Sequence, residues 1–376
     1  MPTLESPPGA VVRIDGREYL YFVGTGYLGL QGNSEVIRAA CQATARYGLH
    51  SATSRAGFGN TPPTLAVERR AAEFFGCEAA FYFSAGYASA GVLLRAVENR
   101  FGALFLDEYS HCSVADAARQ SGRPTFSFRH RDAGDLADCL RRRLPPGGRP
   151  LVMTDGVFSV RGTIAPLVEY RKMLVEYAGS GVLVDDAHGV GVLGCCGRGT
   201  LEHFGLLKDV NSCDDVNAGV AFLLCAALSK ALGGFGGIIP GSRRFIEQTR
   251  SASHWYDGAT APPSPVAAAS ARALELIEAD PEMRVRLWAN VAQLKTGLRA
   301  LGFDVDDTPV PIIYLVVGDA ENMQRIEGEL MQRGIAVAYK SSYSGVDSSG
   351  GLRIAVFATH TPEQIERLIS NLQSVL

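Results

Sequence analysis

No apolar run in this sequence reaches the ~18 residues that a membrane-spanning helix needs. Nor is there an excess of one charge: 36 Lys and Arg stand against 39 Asp and Glu, for a net charge of −3. That balance leaves no footprint for nucleic acid or for an acidic membrane surface. The first ten residues lack a basic segment followed by an apolar one, so no signal peptide is expected. The eight cysteines (Cys41, Cys77, Cys112, Cys139, Cys195, Cys196, Cys213 and Cys225) contain no CxxC pair. Adjacent Cys195 and Cys196 suit neither a standard zinc site nor an ordinary disulfide. Reduced thiols in a cytoplasmic protein are the expectation. Internal repeats and low-complexity tracts are also missing.

Glycine, by contrast, is abundant. The 42 glycines cluster in short turns between apolar runs, which is the punctuation of an α/β protein. A length of 376 residues suggests two domains. Residues 11–14 and 19–23 flank Asp15-Gly16 as a hairpin. A helix is expected from Asn33-Ser34 to about Tyr47, and a polar stretch, 50–63, follows as a binding loop or linker. Thr64 is read as the cap of a helix ending at Phe75. From residue 79 strands alternate with helices: 79–83, 103–107, 125–128, 151–154 and 182–185 are strands. The pattern predicts a doubly wound, mostly parallel sheet, in which ligands bind outside the carboxyl ends of the strands. Pro262-Pro263-Ser264-Pro265 breaks the chain, and a separate α+β unit follows, with strands at 312–317, 335–339 and 352–356. The division expected is an N-terminal arm and hairpin over 1–45, a large domain over 46–262 and a small C-terminal domain over 263–376.

The chain is organised around Ser229-Lys230 and the glycine-rich turn 231–237. The apolar run 220–228 before it reads as a strand buried on both faces. A lysine at its end would be partly desolvated, which favours the neutral amine, and a neutral amine can attack a carbonyl. The alternative is a solvated lysine at a strand end. Other strand ends carry polar groups too. Asp185-Asp186-Ala187-His188 follows 182–184, and no second acidic cluster lies at metal-ligand spacing. A buried aspartate there can keep a pyridinium nitrogen protonated. An imidazole at His111 can stack on an aromatic ligand. Ser84-Ala85-Gly86-Tyr87 leads into a helix, so its amides suit a phosphate. Ser159 offers a hydroxyl after another strand. Arg353 can clamp a carboxylate bidentately, although surface ion pairs are the commoner fate of arginine. Together these fit pyridoxal 5′-phosphate.

From about Val11 to the C-terminus the sequence resembles the α-oxoamine synthases of the fold-type I pyridoxal-phosphate enzymes. The resemblance rests on Tyr27-Leu28-Gly29-Leu30, residues 154–159, 184–194 with Gly197-Arg198-Gly199, 229–234, and Thr359-His360-Thr361. It implies an aspartate-aminotransferase-like fold and a covalent Schiff base between the cofactor and Lys230, which also serves as the base for the substrate α-proton. It implies that Asp185 pairs the ring nitrogen, His111 stacks on the ring, and Ser159 and His188 lie near the phenolic oxygen. Gly86 and Tyr87 would bind the phosphate beside Ser229, with Thr260 lent by a partner subunit. Arg353 would hold the substrate carboxylate. The implied reaction condenses an amino acid with an acyl-CoA or carrier thioester, usually with loss of carbon dioxide, in a homodimer with sites at the interface.

The departures from the family pattern are specific. Gly26 replaces an asparagine, Thr64 a histidine, Ala90 another asparagine, Arg161 an aspartate, and Ala227 a phosphate-binding threonine. The segment lent to the partner reads Asp257-Gly258-Ala259-Thr260, in which only Thr260 keeps a hydroxyl. The family's long N-terminal helix has no counterpart. One lost phosphate hydrogen bond costs on the order of 1–3 kcal/mol of cofactor binding. Arg161 is read as added positive charge near the site, suited to an unusual acid or acyl group. Two other readings stay open here. One is a different pyridoxal-phosphate reaction, such as transamination, decarboxylation or racemisation. The other is a degenerate, non-catalytic relative.

Overall fold

The computed structural model describes residues 2–210 and 219–376, so Cys213 lies outside the described residues. Strands β1 (Val11–Ile14) and β2 (Arg17–Tyr21) form the N-terminal hairpin. Asp15 and Gly16 take φ of 46° and 77°, the left-handed pair that a two-residue hairpin turn demands.

The large sheet is built from β3 (Ala79–Phe83), β4 (Ala103–Asp107), β5 (Thr125–Phe128), β6 (Pro150–Asp155), β7 (Gly181–Asp185), β8 (Ala221–Ala227) and β9 (Gly237–Gly241). Their order across the sheet is β3-β9-β8-β7-β6-β4-β5. Strands β5, β4, β6, β7 and β8 run parallel, and β9 runs antiparallel to both of its neighbours. Every residue of β4, β6, β7 and β8 is buried, because helices cover both faces. Strand β9 escapes a sequence reading: Gly237, Pro240 and Gly241 are turn formers by composition. Its backbone approaches β3 so closely that a Cβ on Gly237 would overlap the Phe83 ring.

The C-terminal unit contains β10 (Ile312–Leu315), β11 (Ile335–Ala336), β12 (Ala338–Lys340) and β13 (Gly351–Ala355). The single strand expected over 335–339 is two. Strand β11 pairs in parallel with β2, while β12 pairs with β13, so the chain changes sheets at Val337. The N-terminal hairpin is thereby stitched to the C-terminal unit, and Ala355 N donates to Phe22 O at 2.8 Å.

Helix ends follow local chemistry. Asn33 caps the helix Ser34–Tyr47, accepting from the Glu35 amide at 2.8 Å. The helix Pro62–Phe75 has Thr61, not Thr64, as its cap residue. Pro62, with no N–H and a fixed φ, suits the first helical position, and Thr64 lies buried one turn in, its hydroxyl 2.9 Å from that of Thr61.

Candidate active site

The parallel strands deliver their polar residues to one edge. Asp155 ends β6 and Asp185 ends β7, and the two are register partners, so both carboxylates emerge side by side on one face. Lys230 lies three residues beyond β8, and His111 four beyond β4. These side chains enclose a cavity of about 380 Å³ together with residues 84–87, Ser113, Ala187, His188, Ala227, Ser229, Phe235 and Gly236.

The glycine turn sets the lysine. Gly234 N donates to Leu228 O at 2.8 Å and Leu228 N to Gly236 O at 2.9 Å, folding the chain back over Lys230. Gly233 has φ 67°, and a methyl group there would overlap Leu30 Cβ. The Lys230 carbonyl accepts from Gln31 Nε2 at 2.6 Å, which fixes the backbone and leaves the amine to the cavity. Burial lowers the pKa of that amine, opposed by the Asp185 and Asp155 carboxylates.

Asp155 is buried beside Asp185, and it accepts from the His111 amide at 3.0 Å. Burial first, then Asp185, raises its pKa well above the ordinary carboxylate value. Asp185 Oδ1 accepts from Ala187 N at 3.1 Å. Asp186 points the other way. It is buried under Gly156 and Gly189 and accepts from the Thr200 amide at 2.6 Å, and burial raises its pKa to about 7.

Both histidines have determinable tautomers. The fully buried Tyr27 phenol lies 2.7 Å from His188 Nδ1 and receives Arg353 Nη2 at 3.5 Å. Burial raises the Tyr27 pKa to about 12, so the phenol keeps its proton, and with the donor-only Arg353 on its oxygen that proton is left to point at Nδ1. Burial, then the positive charge of Lys230, lowers the His188 pKa well below the ordinary value. Neutral His188 therefore carries its proton on Nε2. His111 Nδ1 accepts from Ser113 N at 3.1 Å, which puts its proton on Nε2, facing the Tyr343 oxygen at 2.7 Å. Desolvation likewise lowers the His111 pKa.

The structure brings Lys230, Asp185, His111, His188, Gly86, Tyr87 and Ser229 to one cavity. Ser159, Thr260 and Arg353 lie outside its lining. The Ser159 carbonyl accepts from Arg353 Nε at 2.9 Å, and Arg353 Nη1 donates to Gly24 O at 3.1 Å. Arg353 is thus 6 % exposed behind Tyr27, not in a surface ion pair. Thr260 bridges Ser54. Arg161 is not a free charge. It donates to Gly345 O at 2.7 Å and to Asp347 at 2.6 Å, and it lies over the rings of Tyr109 and Tyr314. That latch holds the loop bearing Tyr343 over His111. The space above Gly26 is filled by Gln31, whose Oε1 would stand 2.7 Å from a Cβ at position 26.

Sequence reasoning passed over Asp155, Gln31 and Tyr343. Asp155 was legible as a second acid at a strand end. Tyr343 carried no signal, because it reaches the site from a loop of the C-terminal unit.

A flat, anionic, carbonyl-bearing ring fits these walls. A Cβ on Gly86 would stand 2.8 Å from Ala227 Cβ, so the turn into the short helices Gly86–Ala88 and Ser89–Ala96 is a cradle that only glycine leaves open. The donor set comprises one amine, two buried carboxylates (Asp155 and Asp185) and two neutral imidazoles (His111 and His188). It is one that an aldehyde-bearing pyridine phosphate would satisfy.

A family model for class I and II aminotransferases matches residues 24–372. The chain is similar to 8-amino-7-oxononanoate synthase of Nitrosococcus oceani, 35% identical over 99% of this chain and 96% of the relative. It is similar also to 8-amino-7-oxononanoate synthase of Cellvibrio japonicus, 36% identical over 99% of this chain and 90% of the relative. Among solved structures, serine palmitoyltransferase of S. paucimobilis carrying a PLP–myriocin aldimine superposes with a TM-score of 0.89. That match is at 28% identity over 100% of this chain and 92% of the other.

Proposed function

We infer that this chain, which belongs to the class I and II aminotransferase family and within it to the α-oxoamine synthases, is a pyridoxal 5′-phosphate enzyme that joins an amino acid to an acyl thioester. The observation that carries this reading is one cavity at the carboxyl ends of parallel strands, holding Lys230, buried Asp185 and neutral His111 together.

The cofactor's ring, when bound, serves as the electron sink for the carbon that loses its proton. Every other task falls to the chain. Lys230, its pKa lowered by burial, is the nucleophile that anchors the cofactor and the base that takes the α-proton. Asp185 would hold the ring nitrogen in its protonated form, and His111, its Nε2–H held by Tyr343, would stack on the ring face. His188 offers Nε2–H as a neutral donor, because Tyr27 occupies its other nitrogen. The Gly86 and Tyr87 amides, at a helix entrance, would receive the phosphate. Arg353, aligned by Ser159 O and Gly24 O, stands behind Tyr27 and outside the cavity lining, where it backs the Tyr27–His188 pair; its hold on a substrate carboxylate is what the family resemblance implies.

We propose further that the protein works as a cytoplasmic homodimer. Thr260 and its bridge partner Ser54 lie apart from the cavity of their own subunit, next to Phe58, which is 96 % exposed. That patch suits a partner's site. Among the described residues, no helix is long and apolar enough to cross a membrane.

The test is an absorption spectrum of purified protein followed by a substrate panel. A visible band bleached by borohydride and missing in Lys230→Ala establishes the covalent link. Release of CoA on mixing acyl-CoA with one amino acid then establishes acyl transfer. Amino-group transfer to a keto acid without CoA release would overturn the condensation reading and keep the cofactor. No band with added cofactor would overturn both.

A further inference from the structure

Outside the lining of the cofactor cavity, the segment after His188 turns a corner at residues 194–197. Cys195 and Cys196 are both exposed there, with their Sγ atoms 3.8 Å apart. The sequence gives this pair no third ligand at standard spacing, but the fold supplies one. Glu202, in the helical turn Thr200–His203, brings Oε1 to 3.3 Å from Cys195 Sγ. The three donor atoms lie within 4.8 Å of one another.

The cluster is held, not incidental. Glu202 Oε2 accepts from Cys196 N at 3.1 Å and from Arg198 N at 2.9 Å, which aims Oε1 at the thiols. Gly191 N donates to Gly197 O at 2.7 Å and Gly199 N to Leu193 O at 3.0 Å, closing the loop from both sides. Arg284 Nη2 donates to Cys195 O at 2.7 Å. The sulfur–sulfur spacing matches that around a metal and the Cys195–Glu202 spacing comes within a few tenths of an ångström of it. Zn–S bonds of about 2.3 Å and Zn–O bonds of about 2.0–2.2 Å at tetrahedral angles put two sulfurs about 3.8 Å apart and a sulfur and an oxygen about 3.6 Å apart. A cavity of about 610 Å³, walled by Cys195, Glu202, His203 and Trp288, opens beside the cluster and gives an ion a way in.

We propose that Cys195, Cys196 and Glu202 form a surface site for a thiophilic divalent metal ion of the zinc and cadmium class, with water in the fourth position. Two thiolates and one carboxylate select a soft d¹⁰ ion over magnesium or calcium. Binding replaces two thiol protons, which pass to solvent, with two metal–sulfur bonds. The site is separate from the cofactor's.

The test is titration of phosphine-reduced holoenzyme with cadmium, followed by the ultraviolet sulfur-to-cadmium charge-transfer band. The expected result is saturation at one equivalent, no band in the Cys195→Ser/Cys196→Ser variant, and weaker binding in Glu202→Gln. Glutamine keeps an oxygen for the Cys196 and Arg198 amides, so the loop is preserved. The loss in Glu202→Gln should be at least about tenfold, the smaller end of what even an outer partner of a metal site costs. In the wild-type protein, zinc should also shield Cys195 and Cys196 from alkylation, read by peptide mass, a measurement that needs no variant. No band in the wild type, a band kept in the double serine variant, an unchanged affinity in Glu202→Gln, or equal alkylation with and without zinc would each overturn the site.

Discussion

Replacing Ala227 by serine should tighten cofactor binding. Ala227 ends β8, is 5 % exposed and forms part of the cavity wall, with its Cβ 2.8 Å from where a Cβ on Gly86 would stand. The side chain therefore points at the amide cradle, and one added oxygen would lie against the phosphate if that cradle holds it as proposed. A hydrogen bond to a charged group contributes roughly 1.5–3 kcal/mol, equivalent to about 10- to 150-fold in affinity. Serine is preferred to threonine because the extra methyl would press on Gly86, and overpacking of that kind costs about 1–3 kcal/mol, enough to cancel the gain. The assay is a fluorescence titration of apoprotein with pyridoxal 5′-phosphate, with a denaturation curve of each apoprotein beside it. An unchanged or weaker dissociation constant, at unchanged apoprotein stability, would refute the placement of Ala227 at the phosphate.

Gly233→Ala should destabilise the fold by about 2–4 kcal/mol, from a left-handed φ of 67° and overlap with Leu30; an unshifted urea midpoint would refute this. Tyr343→Phe removes the acceptor of His111 Nε2–H, so kcat/KM should fall about fivefold, the equivalent of one hydrogen bond of ~1 kcal/mol. Asp347→Ala should reproduce that loss by releasing Arg161 and the loop it holds, and full activity in both variants would remove Tyr343 from the site. His360 is buried, its Nδ1 accepting from Phe357 N at 3.0 Å, and burial lowers its pKa from 6.5 to about 4. Between those values the folded chain binds fewer protons than the unfolded one, so stability falls as pH drops from 6.5 to 4, by roughly 3 kcal/mol. His360→Gln should flatten that part of the pH–stability curve, and an identical slope in the variant would count against the assignment.

The sequence alone determined which strand-end residues meet in one cavity. Lys230, Asp185, His111 and the turn at Gly86 are each tied to the end of a strand whose apolar run is readable, and strand ends of a parallel sheet converge wherever the strands lie in the order. Local patterns also fixed most helices, because capping and period are properties of a few neighbouring residues. What tertiary structure decided is whatever depends on the approach of distant segments. Strand β9 is a strand because β3 and β8 lie on either side of it, and its own glycines and proline say otherwise. Residues 335–340 divide between two sheets because β2 claims the first half and β13 the second. Arg161 changed meaning from a free charge to a latch once Asp347 was beside it, and Tyr343 entered the site on that loop. In each case the deciding contact joins residues far apart in the chain, and no local pattern encodes such a contact.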